Sequence, residues 1–294
     1  QEQTEFDALG ASSRQQRRMT LAELVDYALA TSPGLAVPTA APPTAAPISA
    51  RSTRSLTVRA LGALRISHEG VPVVWTSAKP RELLLLLLCH PDGRTREQVG
   101  LAFWPDASIE QVRNNFHVIL HRLRKTLGGV EWVSLSNEQY AVDARVNVDF
   151  DATRFERDTI AGVARVKQDG DAAMLERALS LYGGDFLENE VVGDWHLELR
   201  DRLRQKYIAA LTTLGERRMK DERWSEAADA WRRLVARDDL DERAYRGLMT
   251  CHAKLGERSQ VQQLYQRMER LLEKQLDAKP DAQTTQLYRR LLSP

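Results

Sequence analysis

The side chains best suited to chemistry in this 294-residue chain crowd into one stretch, residues 111–127 (QVRNNFHVILHRLRKTL). It holds Arg113, Asn114, Asn115, His117, His121, Arg122, Arg124 and Lys125 and no acidic residue. Solvated helix faces ordinarily mix the two signs of charge, so an unmixed run points to an anionic partner. Projected as a helix, Val112, Phe116, Ile119, Leu120, Leu123 and Leu127 gather in one stripe of core-facing width. Asn114, His117, Val118, His121 and Lys125 then lie opposite, flanked by Arg113, Asn115, Arg122 and Arg124. The chemistry on offer is hydrogen bonding to base edges. Asn pairs bidentately with adenine, Arg or Lys with guanine, and a small apolar side chain such as Val118 meets a thymine methyl. A plain surface helix is the alternative, and it leaves the exposed valine without a purpose.

Other chemistry finds less support. His117 and His121 stand at i and i+4, a zinc-binding spacing, but Val118 occupies the place of the glutamate in the metalloprotease motif and no third ligand is nearby. There is no phosphate-cradling glycine loop with Lys-Ser/Thr and no Gly-x-Ser-x-Gly elbow. Cys89 and Cys251 lack a Cys-x-x-Cys partner, and two thiols fit a reducing compartment better than a disulfide framework. Carboxylates alternate with arginine along helices, as in Glu198–Arg202, the i,i+4 pairing of solvated surfaces. No catalytic residue, metal or cofactor is expected, and the chain is not expected to be an enzyme.

The elements that must position residues 111–127 are legible around them. From Ser55 the pattern has period two: Leu56, Val58 and Ala60 alternate with Thr57 and Arg59. A second strand runs through Leu64 and Ile66, turns at His68-Glu69-Gly70, and resumes over Val71–Trp75. Pro80–His90 is leucine on nearly every face and predicts a buried helix, stopped by His90-Pro91-Asp92-Gly93. Thr95 with Gln98 forms a capping box for a second helix ending near Trp104-Pro105. The third runs from about Ser108 to Leu127, before Gly128-Gly129, and short strands follow at 131–135 and 139–142.

Sheet, three helices and terminal hairpin are the order of a winged helix-turn-helix. Residues 56–156 resemble the DNA-binding domain of OmpR/PhoB-type response regulators, and more closely that of SARP-type bacterial transcriptional regulators. The resemblance is carried by AKPRELLLLLLCHPDG (78–93), TREQVGLAFWPD (95–106) and RNNFHVILHRLRKTLG (113–128). On this reading Arg113, Asn114, His117, Val118, His121, Arg122 and Lys125 face bases. Lys79, Arg81, Thr95, Arg96, Asn115 and Arg124 face phosphates, Thr95 and Arg96 through the amino end of the second helix. Family members often place an arginine of the wing in the minor groove; here Ser134–Asp143 contains no Lys or Arg, and Glu138 sits near the tip.

From Ala172 onward the pattern is helical. Trp224-Ser225 and Trp231 recur as Arg258-Ser259 and Tyr265 at an offset of 34, the tetratricopeptide period. Helix pairs of this kind must stack to bury their faces. Trp195, Tyr207, Trp231 and Tyr245 are expected in the core. LYGGDFLENE (181–190), Trp195, ELRDRLRQKYIAAL (198–211) and residues 238–292 resemble the bacterial transcriptional activation domain of SARP-type regulators, which implies self-association and contact with RNA polymerase.

The fold class expected is thus an α+β winged helix-turn-helix domain (55–150) followed by an all-α tetratricopeptide-like repeat domain (151–294). An N-terminal helical extension (1–34) and an Ala/Pro-rich linker (35–54) precede them. Net charge is only +1, and residues 51–150 hold thirteen basic against ten acidic residues. Affinity for an anion must therefore be local. The longest apolar run, Leu83–Cys89, is far below the roughly 20 residues of a membrane span, and no secretory pattern opens the chain. A cytoplasmic regulator of promoter DNA, engaging repeated half-sites as an activator, is the expectation. A protein-interaction scaffold and the output fragment of a larger ligand-sensing regulator, compatible with a start at Gln1, remain as alternatives.

Overall fold

A computed structural model describes residues 54–190 and 193–293. The expected N-terminal helix and nearly all of the expected linker lie outside the described residues. β1 (Ser55–Arg59) turns Leu56 and Val58 into the core and leaves Ser55, Thr57 and Arg59 half-buried. It pairs antiparallel with β2 (Arg65–His68), Val58 opposite Ile66. The turn to β3 (Val71–Pro72) uses Glu69 and Gly70, both at positive φ (50° and 81°), which suits a tight hairpin. β3 stops short of the expected Trp75: β2 begins only at Arg65, and the bond from Val73 N–H to Ile66 O is the last rung. On its other edge β1 pairs in parallel with β7 (Asn147–Phe150), giving the order β3-β2-β1-β7.

Between β3 and β7 lie the three expected helices: α1 (Ala78–Cys89), α2 (Arg96–Phe103) and α3 (Ile109–Thr126). Leu83 through Leu87 of α1 are all buried, so this helix is core on every side. β4 (Arg94–Thr95), β5 (Val133–Ser136) and β6 (Gln139–Val142) form a second sheet in the order β4-β6-β5, which attaches the wing to the start of α2. This is the winged helix-turn-helix arrangement expected from the sequence.

The helical part comprises α4 (Asp151–Gln168), α5 (Ala173–Ser180), α6 (Leu197–Lys220), α7 (Trp224–Arg237), α8 (Glu242–Lys254), α9 (Arg258–Leu276) and α10 (Ala282–Leu292). The 34-residue offset is realised: α7 opens at Trp224 and α9 at Arg258, with Trp231 and Tyr265 at equivalent buried positions. Trp231 lies between two mid-helix glycines. A Cβ on Gly215 of α6 would stand 2.7 Å from its ring, and one on Gly247 of α8 2.5 Å. The indole fills the space those missing side chains leave, which offsets the conformational cost of glycine inside a helix.

Two expectations need correction. Tyr207, Trp231 and Tyr245 are buried as expected, but Trp195 is half-buried, packed near Phe103 of α2 with ring centroids 6.4 Å apart. It is a contact with the winged helix rather than core of the repeat. Arg202 turns to Glu156 of α4 (3.3 Å) instead of Glu198, because α4 packs along α6 and offers a nearer carboxylate.

The junction engages the backbone that follows β1. The Asp151 carboxylate, buried at the start of α4, accepts hydrogen bonds from Ala60 N–H (2.9 Å) and Leu61 N–H (3.1 Å). Leu61 bridges to Phe186, and Gly62, at φ 102°, lies against the backbone of Gly183 and Gly184. Among the described residues no helix is long and apolar enough to cross a membrane. Burial pushes the Cys89 thiol up to about 12 and the Cys251 thiol to about 11, so neither is primed as a nucleophile.

Candidate nucleic-acid interface

α3 begins with a reciprocal cap. Ser108 Oγ accepts from Gln111 N–H (3.3 Å), and Gln111 Oε1 accepts from Ser108 N–H (2.8 Å). Arg124 and Lys125 occupy its last turn, where the helix dipole favours cations. Phe116, Ile119, Leu120 and Leu123 are buried, and Leu127 beyond the helix is too. The crossing with α2 requires a glycine: a Cβ on Gly100 would stand 2.4 Å from Val112 Cγ1.

The outward face is the one the sequence pattern picks out. Arg113, Asn114, Asn115, His117, His121, Arg122 and Lys125 are all exposed. Val118 is 48% exposed in their midst. Among the described residues, Arg113, Arg122 and Lys125 have no carboxylate within ion-pair distance, whereas many arginines elsewhere are paired. Unpaired cations carry their full attraction to an approaching polyanion. Beside the carboxyl half of α3 runs a cleft of about 490 Å³ lined by His117, Leu120, His121, Arg124, Lys125 and Gly129.

The residues expected to face phosphates stand in differing surroundings. Thr95 is committed to the cap of α2, accepting from Gln98 N–H (3.3 Å). Arg96 is half-buried and rests on Glu97, whose carboxyl is held below its usual range by its own backbone N–H and by that guanidinium. Arg124 donates to Val133 O (3.0 Å) and so ties α3 to the wing strand β5. Lys79 binds the buried Glu82 (2.8 Å) and lies over the Phe103 ring. Arg81 pairs with Glu190, 109 residues away, in the segment before α6. Lys79 and Arg81 are thereby held by protein carboxylates, and Asn115 alone of this group is fully exposed on α3.

The wing is a tight hairpin with Asn137 and Glu138 at positive φ (48° and 63°). Leu135 is 55% exposed beside it, and the Tyr140 ring packs on Phe116 with centroids 4.6 Å apart. At the base of the wing Asp143 accepts from Arg145, which draws its carboxyl down to about 2. His117 and His121 share no site with a third ligand: among the described residues no group of three or more His, Cys, Asp or Glu could hold a metal ion.

Residues 150–292 match the sequence family described as the bacterial transcriptional activator domain. The solved structure of Mycobacterium tuberculosis EmbR in complex with a low-affinity phosphopeptide is similar, with a TM-score of 0.66 and 21% identity, over 81% of this chain and 65% of that one. The chain therefore spans about two thirds of EmbR, and the likeness is one of fold. No curated protein matches the sequence. Residues 150–292 thus form a bacterial transcriptional activator domain preceded by a winged helix, the domain order in which the sequence resembles SARP-type regulators.

Proposed function

We propose that this regulator binds promoter DNA by laying α3 in a major groove. The observation that carries the reading is the exposed face of α3, acid-free from residue 111, with three cations that no carboxylate among the described residues neutralises. Arg113, Asn114, His117, Val118, His121, Arg122 and Lys125 take the base-facing positions. Asn115 and the amides at the start of α2, with Arg96, take the phosphates. Lys79, Arg81 and Arg124 have protein partners and serve mainly to hold the domain together. The winged helix at 55–150 is the reader. The helical part at 151–294 joins it to a second protomer or to RNA polymerase, and the protein acts as an activator in the cytoplasm rather than as an enzyme. A single winged helix buries modest surface, so two protomers on repeated half-sites raise affinity without new base contacts.

Selection of bound sequences from a random duplex pool, followed by salt titration of the winner, tests this. A repeated motif should emerge, with affinity falling steeply as salt rises. Arg122→Ala should cost about 1–3 kcal/mol and relax preference at one position. No motif, and weak binding indifferent to sequence, would hand the role to protein partners alone.

A further inference from the structure

α6, α8 and α10 lie side by side on one face of the repeat, with α8 packed against both neighbours. Between them opens a shallow cleft of about 360 Å³ whose apolar lining includes Met219, Leu287 and the buried Trp231. Three arginines stand around it: Arg243 and Arg246 from α8, and Arg290 from α10. The two carboxylates that touch them differ in kind. Asp281 caps α10, accepting from Thr284 N–H (2.5 Å), and fixes Arg246 (2.8 Å), which also donates to the buried Thr284 Oγ (2.8 Å). Glu216 meets Arg243 (2.6 Å) with both side chains more than half exposed, and such a pair contributes little and exchanges readily. Among the described residues Arg290 has no carboxylate within ion-pair distance.

We propose that this cleft is a docking site for an acidic segment of a partner polypeptide. One apolar side chain would sit on Met219 and Leu287, while flanking carboxylates take Arg290 and displace Glu216 from Arg243. The volume lies at the small end of the range for ligand pockets, enough for one side chain and its neighbours' head groups. Stacked repeats commonly use the surface made by one helix of each pair in this way. Charge complementarity chooses the occupant: Arg290, without a carboxylate among the described residues, and the loosely held Arg243 beside Met219 and Leu287 fit a carboxylate-rich peptide, whereas the rigid backbone of a DNA duplex would leave the apolar lining unused. The proposal stands apart from the reading of α3.

The test is fluorescence anisotropy of the full chain with a labelled Asp-Asp-Leu-Glu-Glu peptide and a Lys-Lys-Leu-Lys-Lys control. Saturable binding of the acidic peptide alone is expected, weakened about tenfold by Arg290→Gln and further by Arg243→Gln. Both positions are exposed, so the thermal midpoint of each variant should match the parent. Absence of binding up to about 1 mM peptide, or equal binding by parent and variants, would overturn the proposal. Displacement of the peptide by random-sequence duplex would reassign the face to nucleic acid. Loss of self-association in the variants by sedimentation would reassign it to a second copy of this chain.

Discussion

Which of residues 111–127 face core and which face solvent was legible in advance, because a side chain on α3 is buried or exposed according to its position modulo 3.6. The intramolecular partners of the candidate phosphate contacts were less legible. Arg81 and Arg124 answer to Glu190 and to the Val133 carbonyl, partners that only the folded chain brings near. Asp151 shows the same limit, for nothing in its surroundings in the sequence marks it as the residue that closes β1. Its burial pushes the carboxyl upward against the pull of the Ala60 and Leu61 amides. Asp151→Ala would strand those donors, and a loss of about 2–4 kcal/mol is expected in urea unfolding. Asp143 behaves oppositely. Its folded-state pKa lies below the ordinary 3.8, so the contribution of the Asp143–Arg145 pair is complete above that value and lost as the pH falls through about 2. Asp143→Asn should flatten the acid end of the stability curve there, as followed by circular dichroism.

At the level of elements, capping boxes and breakers located α1, α2 and α3 to within a few residues. β7 escaped, because a four-residue strand paired in parallel with one some ninety residues earlier leaves no local signature. The wing illustrates how an element of expected shape can differ in charge. Its I′-like turn is built by Asn137 and Glu138, and the hairpin supplies no Lys or Arg of its own. Glu138→Lys should therefore raise affinity for all duplexes alike and steepen the salt dependence by about one counterion, leaving the selected motif unchanged. A gain confined to one sequence would show that the wing contributes to base choice instead. In the repeat, Gly247→Ala drives a methyl into the Trp231 ring and is expected to lower stability by about 1–3 kcal/mol, read from the thermal midpoint and from tryptophan fluorescence.

Over the whole described chain, the winged helix and the helical repeat are joined by more than a covalent link. Asp151 grips β1, Leu61 pairs with Phe186, Trp195 packs near Phe103, and Arg81 reaches Glu190. One buried apolar cluster runs through both. A single calorimetric transition is expected, with the enthalpy ratio of a two-state process. Two separable transitions would show that these contacts are too weak to couple the halves. The sequence foretold a winged helix and a helical repeat, yet not their union. The contacts responsible include a buried carboxylate on backbone amides, a distant ion pair and glycine approaches, which carry no hydrophobic period.

The parallel pairing of β1 with β7 also bears on how the protein is made. Leu56 leaves the ribosome long before Val148, its partner in the register. At about 5–20 residues per second that interval lasts several seconds. During it the outer edge of β1 is an open row of amides and carbonyls, the kind of edge that recruits strands from other chains. The winged helix cannot close until the start of α4 has been synthesised, so a transcript truncated before residue 147 would yield a helix-turn-helix with an unfinished sheet and a nascent chain prone to aggregate.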